Sequence, residues 1–502
     1  MISKFRTAVS GLVGSWYNKH SAEPSTCTAE MEHPNPGNQN PCTLCRPTFL
    51  NLSPEELQES GDHSIRKVLT LKRPAELPWG TGYAEVVNAG KSQQNEDQAC
   101  CEFVTVEKRD GKLSDCKEPQ DLKIVTGKKC LSQEDKGFLF YYWGLFDGHA
   151  GCGCAIAASR LLHLHICDHL RDLVHIIPHS AAAPLNLDPG TRIDHIAGVK
   201  TPENAQPPEV AVRFHLEKQV FPESLVVGAI ENAFKEMDEQ IKKERTTYKI
   251  EGGCCALVAV YLMGKLYVAN AGDSRAIIIR QGETISMSQE FTPETERQRL
   301  QFLAFLKPEL LGNEFTYLEF PRRIQQKELR KRMLYRDHTM TGWAYKTIEV
   351  EDMKFPLIYG EGKKARVMAT IGVTRGLGDH DLKVYNSNIY IKPFLSCIPD
   401  VRVYNLAECQ HSPDDVMVMG TDGLWDVISD KEVADTVKRV FSSPATDIQN
   451  RYNIAAKELV LQTRGILQEN CWRLSNGTLA SGDDISVFVI PLAGLEAEYK
   501  HQ

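Results

Sequence analysis

The hydrophobic residues of this chain follow two alternating patterns. Short runs rich in β-branched and aromatic residues predict buried strands, whereas apolar positions repeated every three or four residues predict helices. Long helices are predicted over residues 148–177 and 223–245. The predicted strands cover residues 138–146, 256–262, 266–269, 276–279, 416–419 and 485–491. Because short turns join several of these strands, the pattern indicates an α+β fold with antiparallel sheets at the centre and helices outside.

Two stretches interrupt this pattern as insertions. Residues from about 175 to 220 are rich in Pro, Ala and His with little periodicity, which predicts a surface loop. Residues from about 291 to 366 form a longer, structured insertion, predicted to act as a flap. Within it, residues 321–336 carry seven basic residues against one acid, Glu328. Two readings stay open, a solvated helix face or a docking surface for an acidic or phosphorylated partner.

The first twenty residues have a pattern of their own. Their apolar positions fall on one helical face, which predicts an amphipathic helix that either lies on a membrane surface or docks on the body of the protein. Polar residues interrupt them, unlike the apolar core of a signal peptide. Residues 21–77 are predicted to be a flexible tether and lead-in, and residues 78–495 the catalytic domain. The apolar positions are Ile2, Phe5, Val9, Leu12, Val13 and Trp16.

Composition narrows the class of protein. A length of 502 residues fits one large domain with insertions, or two or three ordinary domains. The formal charge of −8 argues against nucleic acid as a partner. Fifteen cysteines, many inside apolar runs, indicate reduced thiols in an intracellular protein. We expect a cytoplasmic protein, peripheral on Golgi or other endomembranes, with the nucleus not excluded.

Five acidic motifs carry the candidate chemistry. In each, an aspartate stands beside glycine or at the edge of an apolar run. A single Asp-Gly is usually a turn. Five such ends converging would form an oxygen-lined site for divalent cations, which beside a histidine suits hydrolysis of phosphate esters. The motifs are Asn95-Glu96-Asp97, Phe146-Asp147-Gly148-His149, Gly272-Asp273-Ser274-Arg275, Thr421-Asp422-Gly423-Leu424-Trp425-Asp426 and Gly482-Asp483-Asp484.

In their order along the chain these motifs, with Thr374-Arg375-Gly376-Leu377-Gly378-Asp379, resemble the metal-dependent protein phosphatases of type 2C. The resemblance covers about residues 79–492 and implies a serine/threonine phosphatase whose central antiparallel β-sandwich is flanked by helices. Within that family the chain is most similar to the H/J/M subgroup, and to its H member. The subgroup is indicated by Gly82-Tyr83-Ala84-Glu85, Asn95-Glu96-Asp97-Gln98 and the segment 291–297.

The resemblance also implies which residues hold the metal ions. Asp147 would bridge two Mg²⁺ or Mn²⁺ ions, and the carbonyl of Gly148 would bind one of them. Asp422 and Asp483 would bind the other ion. Asp273, with Asp422, would bind a third, weaker ion.

Further roles follow from the same resemblance. Glu96 and Asp97 would hold water molecules bound to the metals, and a metal-activated hydroxide would attack phosphorus. His149 would protonate the departing serine or threonine oxygen. Many relatives grip the phosphate with an arginine where this chain has Ser92, so Lys91 is the substitute candidate, as a point charge rather than a fork.

Several questions stay open at this stage. We expect Arg275, Arg375 and Asp379 to be architectural residues. Similarity to the H member implies phosphorylated Rab GTPases as candidate substrates. The alternatives are a catalytically inactive phosphoprotein-binding protein on the same fold and a different two-metal phosphoesterase such as a nuclease, which the acidic net charge disfavours. The sequence leaves a homodimer open.

Overall fold

The computed structural model describes residues 46–107, 137–178 and 218–495, except positions 74, 75, 93, 445 and 470. The predicted helix over residues 1–20, the first part of the tether and most of the loop insertion lie outside the described residues. Among the helices that are described, none is long and apolar enough to cross a membrane.

The described part of the chain contains both element types. Its α-helices are α1 (Pro54–Gly61), α2 (Gly153–Arg171), α3 (Pro222–Tyr248), α4 (Arg297–Leu306), α5 (Asp422–Trp425), α6 (Asp430–Phe441) and α7 (Arg451–Arg464). Its strands are β1 (Leu69–Thr70), β2 (Gly82–Val86), β3 (Gln98–Val106), β4 (Phe138–His149), β5 (Gly253–Leu262), β6 (Lys265–Ala271), β7 (Arg275–Arg280), β8 (Glu283–Ser286), β9 (Phe315–Thr316), β10 (Arg332–Tyr335), β11 (Ala344–Thr347), β12 (Phe355–Pro356), β13 (Ile358–Tyr359), β14 (Arg366–Val367), β15 (Leu377–Gly378), β16 (Asp400–Asn405), β17 (Val416–Gly420), β18 (Ile466–Gln468), β19 (Cys471–Arg473) and β20 (Ile485–Pro491).

Two antiparallel sheets form the centre of the fold. The first has the strand order β1-β2-β20-β17-β7-β8, and the second has β16-β6-β5-β4-β3 with β15 paired to β5. Alternate residues of a strand face opposite sides of its sheet. Leu257 and Ala259 of β5 therefore join Met417 and Phe488 of the first sheet in the core between the sheets. The predicted α+β class with a central antiparallel β-sandwich is confirmed.

Helices cover the outer face of each sheet. Leu162 of α2 and Phe234 of α3 pack with Val258 on the outer face of the second sheet. Val437 of α6 and Leu459 of α7 are buried against the first sheet. Because both faces of the central strands are covered, these strands are apolar along their whole length, as their sequences indicate.

The strand that carries the motif Phe146-Asp147-Gly148-His149 runs further than predicted. β4 continues through Asp147, Gly148 and His149, which pair with Cys255, Cys254 and Gly253 of β5. The backbone there remains extended because a neighbouring strand holds it. Helix α2 therefore begins at Gly153 and not at residue 148.

The insertion at about 291–366 folds around a small core of its own. Leu300, Phe315 and Leu357 are buried there with Ile391 and Phe394, which follow the insertion in the chain. Its basic segment over residues 321–336 contains a 3₁₀ turn and strand β10 rather than an α-helix. The reading of this segment as one face of a helix is therefore wrong.

The segment before the predicted catalytic domain differs from the flexible lead-in that composition indicates. Residues 46–77 contain α1, which begins with a capping box between Ser53 and Glu56. Leu50, Leu69 and Leu71 of this segment are buried in the core between the sheets. Scattered apolar residues without periodicity do not predict a helix or a strand, although burial of each of them stabilises the fold.

Candidate active site

Strand β4 delivers the first candidate ligand to the site. Asp147 lies near the end of β4, held on one side by β3 and on the other by β5. A Cβ atom on the next residue, Gly148, would lie 2.4 Å from the carbonyl oxygen of Glu96. Only glycine therefore lets the chain that carries Glu96 pass this close to the strand.

Three predicted carboxylates come together in the structure. Asp147, Asp273 and Asp422 are partly buried, and each offers a carboxylate oxygen within 4.8 Å of the others. Asp273 follows β6 in the turn before β7, and Asp422 begins α5 directly after β17. Strands from both sheets thus contribute to one cluster of like charges, hereafter the carboxylate cluster.

The electrostatics of the carboxylate cluster favour bound protons or cations. Burial raises the pKa of Asp147 well above its ordinary value, and the charges of Asp422 and Asp97 raise it further. Burial and the neighbouring charge of Asp273 do the same to the pKa of Asp422. Burial also raises the pKa of Asp273. Carboxylates with these properties need a positive partner at neutral pH.

Glu96 and Asp97 lie beside the cluster and are fixed by hydrogen bonds. The backbone N–H of Gly151 donates to Glu96 Oε1 at 3.0 Å. The Thr421 hydroxyl donates to Asp97 Oδ2 at 2.9 Å. Burial, followed by the charge of Asp484, raises the pKa of Asp97 well above its ordinary value.

Asp483 lies outside the carboxylate cluster and has a cationic partner. The ammonium nitrogen of Lys91 lies 2.6 Å from Asp483 Oδ2, and both side chains are partly exposed. The charge of Asp483 nonetheless contributes to the raised pKa of Asp147, which places it in the same electrostatic field. Burial opposes charging of Lys91, but the hydrogen bond to Asp483 together with the charges of Asp483, Asp422 and Asp484 outweighs it and raises the pKa of this lysine.

His149 has a partner that the sequence did not indicate. Its Nε2 lies 2.7 Å from Oδ2 of Asp379, a nearly buried carboxylate. Burial alone would lower the pKa of His149, but the hydrogen bond and the charge of Asp379 outweigh it and raise this pKa. From the sequence, Asp379 is expected to be architectural. Only its place in the motif Gly376-Leu377-Gly378-Asp379 indicates a role at the site, and the motif does not identify His149 as its partner.

The two arginines expected to be architectural do pair inside the protein. Arg275 contacts Asp430 at 2.6 Å, and Arg375 contacts Glu296 at the same distance. Both arginines are committed to neighbouring carboxylates.

The chain is closely similar to known phosphatases. The protein phosphatase 2C family matches residues 173–304 and 357–465. The chain is 57% identical to Protein phosphatase 1H of Xenopus tropicalis, across 92% of this chain and 94% of that protein. It is 58% identical to Protein phosphatase 1J of Rattus norvegicus, across 94% of this chain and 90% of that protein. The crystal structure of serine-threonine phosphatase 2C from Toxoplasma gondii aligns with 85% of this chain and 99% of its own, at 17% identity and a TM-score of 0.41.

Identity at this level over nearly the whole of both chains establishes common family membership. The relatives include H and J members at almost the same identity, which confirms the predicted subgroup. Between its two matched segments the family model leaves residues 305–356 unmatched, and these lie inside the long insertion; residues 1–172 and 466–502 also lie outside the match. The chain belongs to the protein phosphatase 2C family and is a metal-dependent protein serine/threonine phosphatase of the group that contains the H and J members.

Proposed function

We propose that the protein hydrolyses phosphoserine and phosphothreonine in phosphoprotein substrates at the carboxylate cluster, with two Mg²⁺ or Mn²⁺ ions and a weaker third. The observation that supports this most directly is the approach of Asp147, Asp273 and Asp422 to within 4.8 Å of one another. Like charges so close in a partly buried cluster are a poor arrangement for stability but a good one for binding cations.

The donor set fits these ions because it consists of carboxylate and carbonyl oxygens. Asp147, the Gly148 carbonyl, Asp422, Asp483 and Asp273 would hold them. The neighbouring carboxylates of Glu96 and Asp97 would hold water through hydrogen bonds. When bound, the ions supply Lewis-acid activation of water and offset negative charge on the phosphate.

His149 would hold the proton that the departing serine or threonine oxygen needs. An alkoxide is a poor leaving group, so a cationic imidazole available near neutral pH lowers the barrier. The raised pKa of His149 favours that cationic form. With Nε2 engaged by Asp379, the proton would be donated from Nδ1.

Lys91 would bind the substrate phosphate. Its side chain is 61% exposed and its ammonium group lies beside Asp483 at the edge of the site. A phosphate would bring it a second anionic partner. Without an arginine fork at position 92, this contact would rest on charge more than on bidentate geometry.

Substrate selection would depend on the insertion, and phosphorylated Rab GTPases are the first candidates. Strands β10 and β11 form a hairpin with exposed aromatic residues. The guanidinium of Arg336 lies 4.7 Å from the ring centroid of Trp343, and that of Arg332 lies 5.6 Å from the ring centroid of Tyr345. Arg336 is partly buried and already paired with Glu319. The exposed Arg332 beside Tyr345 is therefore the arginine of this hairpin that suits recognition of an acidic or phosphorylated protein surface.

The first prediction concerns the central ligand. Wild-type protein is expected to release phosphate from a phosphothreonine peptide when Mn²⁺ or Mg²⁺ is present. Asp147→Asn should reduce kcat by about 10³-fold or more, because an amide brings no charge to the cations. Asp168→Asn, on the surface of α2, is the matched control. No release by folded, metal-loaded wild type would instead favour the inactive phosphoprotein-binding alternative.

The second prediction concerns the proton donor. His149→Ala should lower kcat on a phosphothreonine peptide by about 10²-fold. The loss should be much smaller on p-nitrophenyl phosphate, whose phenolate leaves without a proton. His169→Ala on α2 serves as the control. Equal losses on both substrates would contradict proton donation by His149.

The third prediction concerns pH. The pKa of Asp484 is raised to about 6, mainly by burial, and burial also raises the pKa values of Asp147 and Asp422 well above their ordinary range. At a pH below the pKa that it has in the unfolded chain, such a carboxyl is protonated in both states and does not oppose folding. As the pH rises towards the higher pKa of the folded state, the unfolded chain loses this proton first, and the free energy of unfolding falls. The raised pKa of His149 acts in the same direction.

Melting of EDTA-treated protein should therefore shift to lower temperature as the pH rises from about 4 to about 6, the window between the ordinary pKa of an aspartate and that of folded Asp484, and His149 should extend the loss above about pH 6.5. Added Mn²⁺ should raise the melting temperature more at the higher pH, since fewer protons compete for the carboxylates. A melting temperature of the metal-free protein that rises across this range would refute the proposed charge state of the cluster.

The fourth prediction concerns residues 1–20, which lie outside the described residues and which we propose bind a membrane surface at the Golgi or another endomembrane. Full-length protein should dephosphorylate a lipidated phospho-Rab on liposomes faster than protein lacking residues 1–20, because shared attachment raises effective concentration. The two forms should act equally on soluble phospho-Rab. Equal rates on liposomes as well would count against membrane binding, and no activity on phospho-Rab would count against this substrate.

A further inference from the structure

We infer that a turn before the predicted catalytic domain, residues 62–66, positions Lys91 for the substrate phosphate. The turn holds the backbone of the loop 88–92 on both sides of Lys91. The inference rests on the proposed role of Lys91, and it makes Arg66 a positioning residue for the phosphatase reaction.

Arg66 makes the first connection between turn and loop. Its side chain is buried, with only 3% of the residue exposed. Nη2 donates a hydrogen bond of 2.5 Å to the carbonyl of Ser92, and Nη1 donates to the carbonyl of Gly61 at 3.0 Å. A planar guanidinium that binds two carbonyls at once fixes the distance between the segments that carry them.

His63 makes the second connection, on the other side of Lys91. Gly90 has a φ of +110°, which favours glycine, and a Cβ atom there would lie 2.6 Å from Cε1 of His63. The imidazole ring therefore lies directly against the backbone of Gly90. Contacts from one turn thus reach the residue before Lys91 and the residue after it.

The loop is also tied to the acidic side of the site. The Ser92 N–H donates to Asn88 Oδ1 at 3.0 Å, and the Asn88 N–H donates to Asp484 Oδ1 at 2.8 Å. Asp484 follows Asp483, the partner of Lys91. The loop is therefore held between the turn and the Asp483-Asp484 segment, while the ammonium group of Lys91 stays accessible.

The contacts of the turn give Lys91 a fixed backbone position, which matters more for a lysine than for an arginine. A lysine is a point charge on a flexible stem, so its affinity for phosphate depends on where its backbone is held. At position 92, where many relatives carry the phosphate-binding arginine, this chain presents a carbonyl that is itself bound by Arg66. The guanidinium thus acts through Lys91 and not on the phosphate.

A double-mutant cycle on a phosphothreonine peptide with Mn²⁺ tests the inference. Lys91→Ala and Arg66→Ala are each expected to raise KM about tenfold, with kcat altered less than about twofold. Because Arg66 acts through Lys91, the double variant should show no higher KM than Lys91→Ala alone. Arg66→Lys should recover part of the loss, and Lys67→Ala, which removes only an exposed pair with Glu59, is the matched control.

The outcomes separate the inference from the role on which it rests. An unchanged KM in Lys91→Ala would refute phosphate binding by Lys91 and the inference with it. If Lys91→Ala raises KM and the double variant raises it by the product of the two single effects, the inference is overturned, whereas the proposed phosphate binding by Lys91 stands. If Arg66→Ala fails to fold, His63→Ala, at the exposed side of the turn, replaces it in the same double-mutant cycle with Lys91→Ala. A KM raised about threefold in that variant, but not in the Lys91→Ala background, supports the inference, and an unchanged KM overturns it.

Discussion

Repulsion among carboxylates is the constraint on which the rest of this structure depends. Asp147, Asp273 and Asp422 offer oxygens within 4.8 Å of one another. Burial is the main cause of their raised pKa values, and the charges of neighbouring carboxylates raise those of Asp147 and Asp422 further, so charge at the cluster costs the folded chain stability. A flexible scaffold would relieve the repulsion by letting them separate, and it would lose affinity for cations at the same time. Metal-dependent hydrolysis therefore needs a frame that cannot relax.

The β-sandwich meets this need through the position of its site-bearing strands. β4 lies between β3 and β5, and β17 lies between β20 and β7. Moving either strand would break hydrogen-bond ladders on both sides and disturb the apolar cores on both faces. Asp147 and Asp422 are therefore attached to parts of the fold that resist displacement most strongly. Helices packed outside the sheets add to that resistance without contributing ligands themselves.

Local sequence patterns were sufficient for the central strands and the two long helices, but not for the start of α2 or for α1 in the predicted lead-in. Asp147 and Asp422 stand beside glycine at the ends of apolar runs, so the strands could be predicted from the pattern, whereas the ligand roles were implied by the resemblance of the ordered motifs to the family. Contacts between distant segments could not be predicted in this way. Asp379 reaches His149 across 230 positions of the chain, and Arg66 reaches Ser92 across 26. Neither residue lies in a pattern that reveals its partner.

The same distinction explains why substrate binding can vary while the chemistry stays constant. Changes within the central strands would disturb the spacing of the carboxylates, whereas the insertion has its own core and can change with little effect on the sandwich. The segment over residues 46–77 likewise lies beyond the central strands, since it joins the first sheet at its edge through β1 and buries Leu50 and Leu71 between the sheets. A lysine whose backbone is held by such a segment would be tuned from outside the strands that carry Asp147 and Asp422, while its ammonium group pairs with Asp483. On the proposed roles of the insertion and of Lys91, selectivity would reside in the parts of the chain whose alteration disturbs Asp147 and Asp422 least.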